Sequence, residues 1–169
     1  LPGELLGLDA IHENEHPCTA IALETTSLCE IPFNTLEGLS SKIPELRHQL
    51  FRIMSKEISN DQTLLMLMAQ KSADEKLAAF LVNLSTRLKQ RNFSETEFNL
   101  SMSRKDIGNY LGLTIETISR TFSRFQSEGI LSTQRKYVNI YKLDALKQLA
   151  GLSDHCQPND CTSKSARSK

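Results

Sequence analysis

Side chains suited to reading DNA bases are concentrated between residues 114 and 124. Arginine donates two hydrogen bonds to guanine, and glutamate accepts one from the amino group of cytosine. Glu116 and Arg120 lie four residues apart, so on a helix both project from one face and reach adjacent base pairs. The other residues predicted to contact DNA are Ser103, Thr114, Ile115, Thr117, Ser119, Arg124, Arg135 and Lys136.

Two short helices joined by a tight turn are predicted to position these side chains. Ser103 and Thr114 are suited to cap the helices, and Gly112 can adopt the positive φ of the turn. Apolar residues at helical spacing give each helix one side for burial. Residues 103–125 therefore indicate a helix-turn-helix, whose second helix enters the major groove; a plain helical hairpin with a Glu–Arg surface pair is the alternative.

Charge is distributed unevenly along a chain of 169 residues whose formal net charge is zero. Residues 1–69 contain 4 Lys/Arg and 10 Asp/Glu, whereas residues 70–169 contain 16 and 10, giving net charges of −6 and +6. A basic half that carries the helix-turn-helix suits double-stranded DNA. Four cysteines predict a reducing cytoplasm, and neither a membrane-spanning run nor a signal peptide is visible.

The long helix predicted from Pro44 to about Met68 carries two faces, which predict two packing partners. The face expected to pack on the preceding β segment consists of Leu46, Leu50, Ile53, Glu57, Leu64 and Leu67. The dimer seam, spaced alternately by four and three residues as in a coiled coil, consists of Arg47, Phe51, Met54, Ile58, Asp61, Leu65 and Met68. A helix buried on most sides is the alternative.

Asp61 is the carboxylate on this dimer seam. In a parallel dimer two such groups face each other near the axis, where burying them charged costs several kcal/mol unless they are paired. We therefore expect Asp61 to weaken dimerisation and Asp61→Ala to strengthen it. In the alternative, Asp61 lies at a solvated edge of the seam.

Four regions are expected along the chain. Residues 1–43 end a β domain that begins before this sequence, because no Met opens it and its first residues resemble an interior strand and turn. Residues 44–70 form the dimerisation helix, and residues 71–151 form the DNA-binding domain. Residues 152–169 form a polar, disordered tail, in which Cys156 and Cys161 have no assigned role.

The elements expected in the first region are two strands and a short helix. Alternating side chains predict strands at Thr19–Leu23 and Thr26–Ile31. Asn34 is expected to cap a helix over Thr35–Leu39.

The second half is expected to contain a winged helix. Ser72 and Glu75 form a capping box that opens a helix running to about Gln90, and Phe98 and Leu100 mark a short strand. After the recognition helix, Gly129 is expected at the C-cap. Two strands and a closing helix follow, with Gln134, Arg135 and Lys136 at the hairpin tip, where basic side chains reach phosphates. The predicted elements are Ile130–Thr133, Tyr137–Tyr141 and Leu143–Leu149.

Several motifs resemble the CRP/FNR family of bacterial regulators over about residues 1–151, and most closely its oxygen-sensing FNR branch. They are Gly-Glu-Leu-Leu-Gly at 3–7, the long helix, DIGNYLGLT at 106–114 and Glu-Thr-Ile-Ser-Arg at 116–120. The resemblance implies an α+β fold: the end of a β-roll, cyclic-nucleotide-binding-like sensor domain, a dimerisation helix and a C-terminal winged helix-turn-helix domain. It also implies a homodimer on an inverted TTGAT-type repeat.

The same resemblance implies roles for individual residues. Glu116 and Arg120 would read the central C·G pair of each half-site, and Ser119 an outer thymine. Ile115 and Ser119 replace the arginine and glycine of cyclic-AMP receptor proteins. Surface loops of the family contact RNA polymerase, and one of them matches Arg87 to Ser94; an ordinary helix-to-strand connection is the alternative for that loop.

The signal is expected to be redox rather than a cyclic nucleotide. Cyclic-nucleotide binders hold the phosphate with an Arg-Ser or Arg-Thr pair, and Cys18 stands where that arginine belongs. The FNR branch implies an oxygen-labile [4Fe–4S] cluster in the full-length protein, with Cys29 as its ligand in this sequence and three others from N-terminal cysteines.

Enzyme activity is not predicted, since no Ser/His/Asp set, phosphate loop or pair of catalytic carboxylates is visible. Two other functions remain open: a regulator of the same family with a different signal or none, and a protein-interaction module that uses the winged helix and the long helix without reading bases.

Overall fold

The computed structural model describes residue 1, residues 4–13 and residues 15–151. The predicted tail at 152–169, with Cys156 and Cys161, lies outside the described residues. The chain divides into two compact units, Leu1–Met66 and Leu67–Lys169.

The first unit contains a 3₁₀ helix at Leu8–Ile11, α1 (Phe33–Lys42) and most of α2 (Pro44–Gln70). The prediction of strands at Thr19–Leu23 and Thr26–Ile31 is wrong, because these residues have no regular secondary structure. Their apolar side chains are uncovered: Ile21 is 79% exposed and Leu28 is 77% exposed. An isolated pair of strands without a packed face is marginal in water, so the alternating pattern alone does not produce a sheet.

The start of α1 also differs from the prediction. Asn34 is not a cap, because the helix begins at Phe33 and Pro32 occupies the N-cap position without a side-chain hydrogen bond. The Pro32 carbonyl accepts from the backbone N–H groups of Thr35 and Leu36 at 3.0 and 3.1 Å. A proline fixes its own φ near the helical value, which favours a start directly after it. The helix continues to Lys42 rather than ending at Leu39.

Helix α2 contains 27 residues, slightly more than predicted, and spans about 40 Å at 1.5 Å per residue. Large apolar side chains along it are uncovered: Phe51, Ile58 and Leu65 are 62%, 57% and 66% exposed. They all belong to the predicted dimer seam. Met54 of the seam is half-buried, as are Leu46, Leu50, Leu64 and Leu67 of the other predicted face, on which Ile53 is 37% exposed. The seam is therefore the more exposed apolar side of this helix.

The second unit combines four helices with a small antiparallel sheet. After the last residues of α2 come α3 (Ala73–Lys89), β1 (Glu97–Asn99), α4 (Arg104–Leu111), α5 (Ile115–Ser127), β2 (Leu131–Gln134), β3 (Tyr137–Ile140) and α6 (Leu143–Leu149). The strand order is β1-β3-β2, with Val138 of the central strand opposite Phe98 on one side and Thr133 on the other. This is the winged-helix arrangement expected from the sequence.

One hydrophobic core holds the second unit together. Leu77 and Leu81 of α3, Ile107 of α4, Ile118 of α5 and Leu146 of α6 are all 0% exposed. The three strands contribute Phe98, Leu131, Val138 and Ile140. Because all four helices place apolar side chains in this core, the position of α5 depends on α3, α4 and α6 together.

The predicted capping box at the start of α3 is confirmed. The Ser72 hydroxyl oxygen accepts from the Glu75 N–H at 3.4 Å, and the Glu75 carboxylate accepts from the Ser72 N–H at 2.8 Å. Hydrogen bonds from Ser72 hold the pKa of Glu75 below its usual value. The box satisfies backbone donors that the first turn leaves unpaired, and so fixes where α3 begins.

Candidate nucleic-acid interface

Helix α4 starts with a second capping box, formed by Ser103 and Asp106. Asp106 accepts from the Ser103 N–H at 2.9 Å, and Ser103 Oγ accepts from the Asp106 N–H at 3.2 Å. Hydrogen bonds from Ser103 are the largest cause of a lowered pKa of Asp106, and the charges of Lys105 and Lys136 lower it further. Since the folded-state pKa is depressed, the stability from this carboxylate is present above its ordinary pKa and is lost as pH falls through the lowered value.

The turn between α4 and α5 depends on two glycines. Gly112 has φ of 64°, in the left-handed region expected of a residue that ends a helix in this way. Gly108 lies inside α4, and its carbonyl oxygen accepts from the Leu113 N–H at 2.8 Å. A Cβ at Gly108 would lie 2.6 Å from the Leu113 carbonyl oxygen, a backbone atom that cannot rotate away. The close approach of the turn to α4 therefore requires glycine at this position.

Gly108→Ala is expected to lower the free energy of unfolding by about 1–3 kcal/mol, the usual cost of forcing extra volume into a packed site. Gly38→Ala is the matched control, because a Cβ at Gly38 of α1 meets nothing within 4 Å. Alanine is the better helix former, so the control should be neutral or stabilising by up to about 1 kcal/mol. Thermal unfolding followed by circular dichroism measures both variants, and equal effects would contradict the steric explanation.

Helix α5 has one buried side and one open side. Thr114 caps it by accepting from the Thr117 N–H at 3.2 Å, as predicted. Its buried side consists of Ile118, Thr121, Phe122 and Phe125. The open side consists of Glu116, Ser119, Arg120 and Ser123, and Ile115 at the N-terminal end is 46% exposed. Within the described part of the chain, no hydrogen bond or ion pair engages the side chain of Glu116 or Arg120.

The wing ends in a basic two-residue turn. Strand β2 includes Gln134, so the tip is shorter than predicted and consists of Arg135 and Lys136, both exposed. Arg135 has φ of 54°, which lets the strands reverse within two residues. The Lys136 carbonyl oxygen accepts from the Leu100 N–H at 2.8 Å. The positive charge of the Lys136 side chain contributes to the lowered pKa of Asp106. The tip therefore lies beside the start of α4, on the helix-turn-helix.

Arg124 is the predicted DNA contact that the structure separates from the others. Its Nη1 lies 2.6 Å from the Asp74 Oδ2, so the guanidinium is directed at the first turn of α3.

The C-terminal end of α5 is closed by Gly129, whose φ is 62° and which follows Glu128 at the C-cap. Ile130 N–H donates to the Phe125 carbonyl and Gly129 N–H to that of Gln126, which is the Schellman pattern.

Arg104 is a residue of this region that sequence reasoning missed. Its guanidinium carbon lies 3.2 Å from the centroid of the Phe122 ring, a cation–π contact between α4 and α5. Burial lowers the pKa of Arg104 to about 10, and its Nη1 is buried without a hydrogen-bond partner among the described atoms. Arg104 and Phe122 are 18 positions apart and lie on different helices, and no periodic pattern of residues marks a contact of this kind. The sequence therefore does not predict it.

The loop predicted to face RNA polymerase is a well-braced turn. Phe93, at its tip, is 57% exposed, and its N–H donates to the Leu88 carbonyl at 3.0 Å. Asn92 adopts φ of 61°, and an ion pair of 2.8 Å joins Lys89 to Glu95 across the loop. An exposed aromatic ring on a turn fixed at both ends is suited to contact another protein.

The described residues do not by themselves fit an iron–sulfur cluster. Cys29 and Cys18 are exposed free thiols. A [4Fe–4S] cluster takes four thiolate ligands, and nowhere in residues 4–13 and 15–151 do three or more His, Cys, Asp or Glu side chains come together as a metal site would require.

None of the helices in the described part of the chain is long and apolar enough to cross a membrane.

Comparison with known sequences matches this arrangement to established regulators. Residues 75–149 match the Crp-like helix-turn-helix domain. The fumarate and nitrate reduction regulatory proteins of Escherichia coli (strain K12) and Yersinia pestis are each 56% identical over 151 residues, which cover 89% of this chain and 60% of each relative. The chain thus spans about three fifths of the length of these relatives.

Solved structures show the same architecture. FixK2 from Bradyrhizobium japonicum is similar with a TM-score of 0.63 and 30% identity, over 69% of this chain and 57% of that one. A transcriptional regulator of the CRP/FNR family from Thermus thermophilus shares the fold at a TM-score of 0.53 and 19% identity, over 64% and 55% of the two chains. The chain therefore contains a Crp-like helix-turn-helix domain and is similar over most of its length to transcriptional regulators of the CRP/FNR family.

Proposed function

We propose that this chain is a sequence-specific DNA-binding transcriptional regulator. The observation that carries the proposal is the open side of α5, where Glu116, Ser119 and Arg120 are exposed while the opposite side is fully buried. A helix held in this way presents hydrogen-bonding side chains without having to rearrange, as a major-groove reader must.

We infer that some side chains on and around α5 contact bases and that others contact the phosphate backbone. Glu116 and Arg120 read the C·G pair of a TTGAT-type half-site, and Ser119 reads an outer thymine. Ile115, an exposed apolar residue at the start of the helix, packs on a thymine methyl group. The residues that contact the phosphate backbone are Ser103, Thr114, Thr117, Arg135 and Lys136, from helix N-termini and the basic wing.

A gel shift with a TTGAT-N4-ATCAA duplex tests this function. The chain should bind that duplex in preference to a scrambled duplex of the same composition at the same salt concentration, because non-specific binding depends strongly on salt. Equal binding to both duplexes would remove sequence-specific reading and leave a protein-interaction module as the better account.

We further propose that two copies pair through the dimer seam of α2. The exposed apolar side chains of Phe51, Ile58 and Leu65 support this, because a monomer gains nothing from leaving three large apolar groups on one stripe. A dimer that reads an inverted repeat must present two α5 helices about 34 Å apart, one helical turn of DNA.

Asp61→Ala is expected to strengthen this dimer by about tenfold or more, because two carboxylates near the axis oppose association. Glu57→Ala is the matched control, since Glu57 is also an exposed carboxylate of α2 but lies off the seam. Analytical ultracentrifugation measures the dimerisation constant of each variant. A dimer that is unchanged or weaker in Asp61→Ala would place Asp61 at a solvated edge.

We propose that an oxygen-labile [4Fe–4S] cluster controls this regulator, with Cys29 as one ligand. The exposed thiol of Cys29 supports the idea, because a ligand to a cluster shared with other cysteines must be accessible. In the full-length protein isolated without oxygen, Cys29→Ser should lose bound iron and sulfide, whereas Cys18→Ser should keep both. Equal iron content in the two variants would exclude Cys29 as a ligand.

We propose RNA polymerase as the partner of the loop from Arg87 to Ser94. The exposed Phe93 ring and the bracing of the turn support a protein contact there. Transcription in vitro from a promoter that carries the repeat, compared with DNA binding to the same promoter, tests whether polymerase responds to the bound protein.

A further inference from the structure

The first turn of α3 holds the back of α5 through one carboxylate. Asp74 Oδ1 accepts from the Thr121 hydroxyl at 3.1 Å, and Asp74 Oδ2 lies 2.6 Å from Arg124 Nη1. Asp74 and Thr121 are 47 positions apart in the chain. Both oxygens of Asp74 are therefore engaged by α5, one turn apart along that helix.

The surroundings of Asp74 hold its carboxylate in a fixed position. Asp74 is the second residue of α3, where the partial positive charge of a helix N-terminus stabilises an anion. The Ser72–Glu75 capping box fixes the backbone on either side of it. Thr121 is only 1% exposed, so its hydroxyl needs a protein partner, and Asp74 is that partner.

Arg124 belongs to the same stripe of α5 as the base-reading residues. Glu116, Arg120 and Arg124 follow each other at intervals of four, and each interval turns about 40° round the helix axis. The stripe therefore begins on the open side and ends against α3. An anchor at its last member sets the rotation of the helix, and with it the direction in which Glu116 and Arg120 project.

We propose that Asp74, Thr121 and Arg124 form a positioning site that fixes the rotation of the recognition helix and thereby its base specificity. Arg124 on this account is not a phosphate contact but the positioning residue behind Arg120. The inference rests on the proposed base reading by α5. It assigns specificity to a residue of α3 that lies outside the helix-turn-helix.

Salt dependence separates positioning from phosphate contact. In the full chain, Asp74→Asn and Arg124→Gln should each lower the ratio of affinities for the TTGAT-type repeat and for a repeat with its C·G pairs changed. A reduction of about three- to tenfold is expected, as for a part-buried ion pair and a charge-assisted hydrogen bond. The slope of log affinity against log salt should stay at the wild-type value.

Arg135→Ala is the matched control for a basic residue that contacts phosphate. It should weaken binding to both duplexes equally and reduce the salt slope by about 0.9 for each phosphate that the protein no longer neutralises.

Because Asp74 and Arg124 act as one unit, the double variant should lose no more specificity than either single variant. Arg124→Lys, which keeps the charge, should retain most of the ratio, and circular dichroism checks that every variant is folded.

Two results would overturn the inference alone: a reduced salt slope with an unchanged ratio in Arg124→Gln, or an unchanged ratio in folded Asp74→Asn. A wild-type chain that binds both duplexes equally would overturn the proposed base reading, and this inference with it.

Discussion

Arg120→Ala is expected to lower affinity for the TTGAT-type repeat by about 1–3 kcal/mol for each half-site, or about five- to 150-fold. The Arg120 side chain is exposed on the open side of α5 and engages no described partner, so its donors are available to a base. Truncation removes the bidentate contact and leaves the guanine acceptors without a protein partner. Fluorescence anisotropy with labelled duplexes measures the change.

The difference between the affinity losses on the repeat and on scrambled DNA is more informative than the size of either loss. Arg120→Ala should bind scrambled DNA nearly as well as the wild type does, so the two duplexes converge. A phosphate contact behaves differently, because its removal weakens binding to all sequences alike. Full retention of preference by Arg120→Ala would show that Arg120 does not read the site.

Phe125→Ala is expected to destabilise the second unit by about 3–5 kcal/mol, the usual cost of emptying a buried aromatic position. Phe125 is 1% exposed on the buried side of α5. Phe93→Ala is the same chemical change at a ring that is 57% exposed, and it should stay within about 0.5 kcal/mol of the wild type.

Tyrosine fluorescence is the suitable probe for this pair of variants. The chain has no tryptophan, and its three tyrosines, Tyr110, Tyr137 and Tyr141, all lie in the second unit. Urea unfolding followed in this way reports that unit alone. Comparable destabilisation in Phe125→Ala and Phe93→Ala would contradict the burial on which the placement of α5 depends.

Features of the fold that depend on neighbouring residues were predictable from the sequence. The caps at Ser72, Ser103 and Thr114 and the positive φ of Gly112 all occur as expected. Each is a contact within one or two helical turns, so residue type and spacing determine it. The hairpin and α6 followed for the same reason, with boundaries shifted by one residue or none.

Features that depend on distant partners were not predictable. Residues 19–31 alternate as strands do, but a strand requires a neighbour to pair with, and none is present among the described residues. One local feature was also predicted wrongly: Asn34 is a good capping residue, but the helix starts directly after Pro32, two residues before it. The sequence does not distinguish Arg124 from the other exposed cations of the recognition helix, because its partner Asp74 lies 50 positions away in the chain.

A double-mutant cycle between protein and DNA tests base reading by α5. Four affinities are measured at one salt concentration: wild type and Arg120→Ala, each on the TTGAT-type repeat and on the repeat with its C·G pairs replaced. If Arg120 reads those pairs, the two changes should be strongly non-additive, with a coupling of about 1–3 kcal/mol for each half-site. Additive effects would mean that Arg120 and the C·G pair do not interact, and would contradict the proposed recognition.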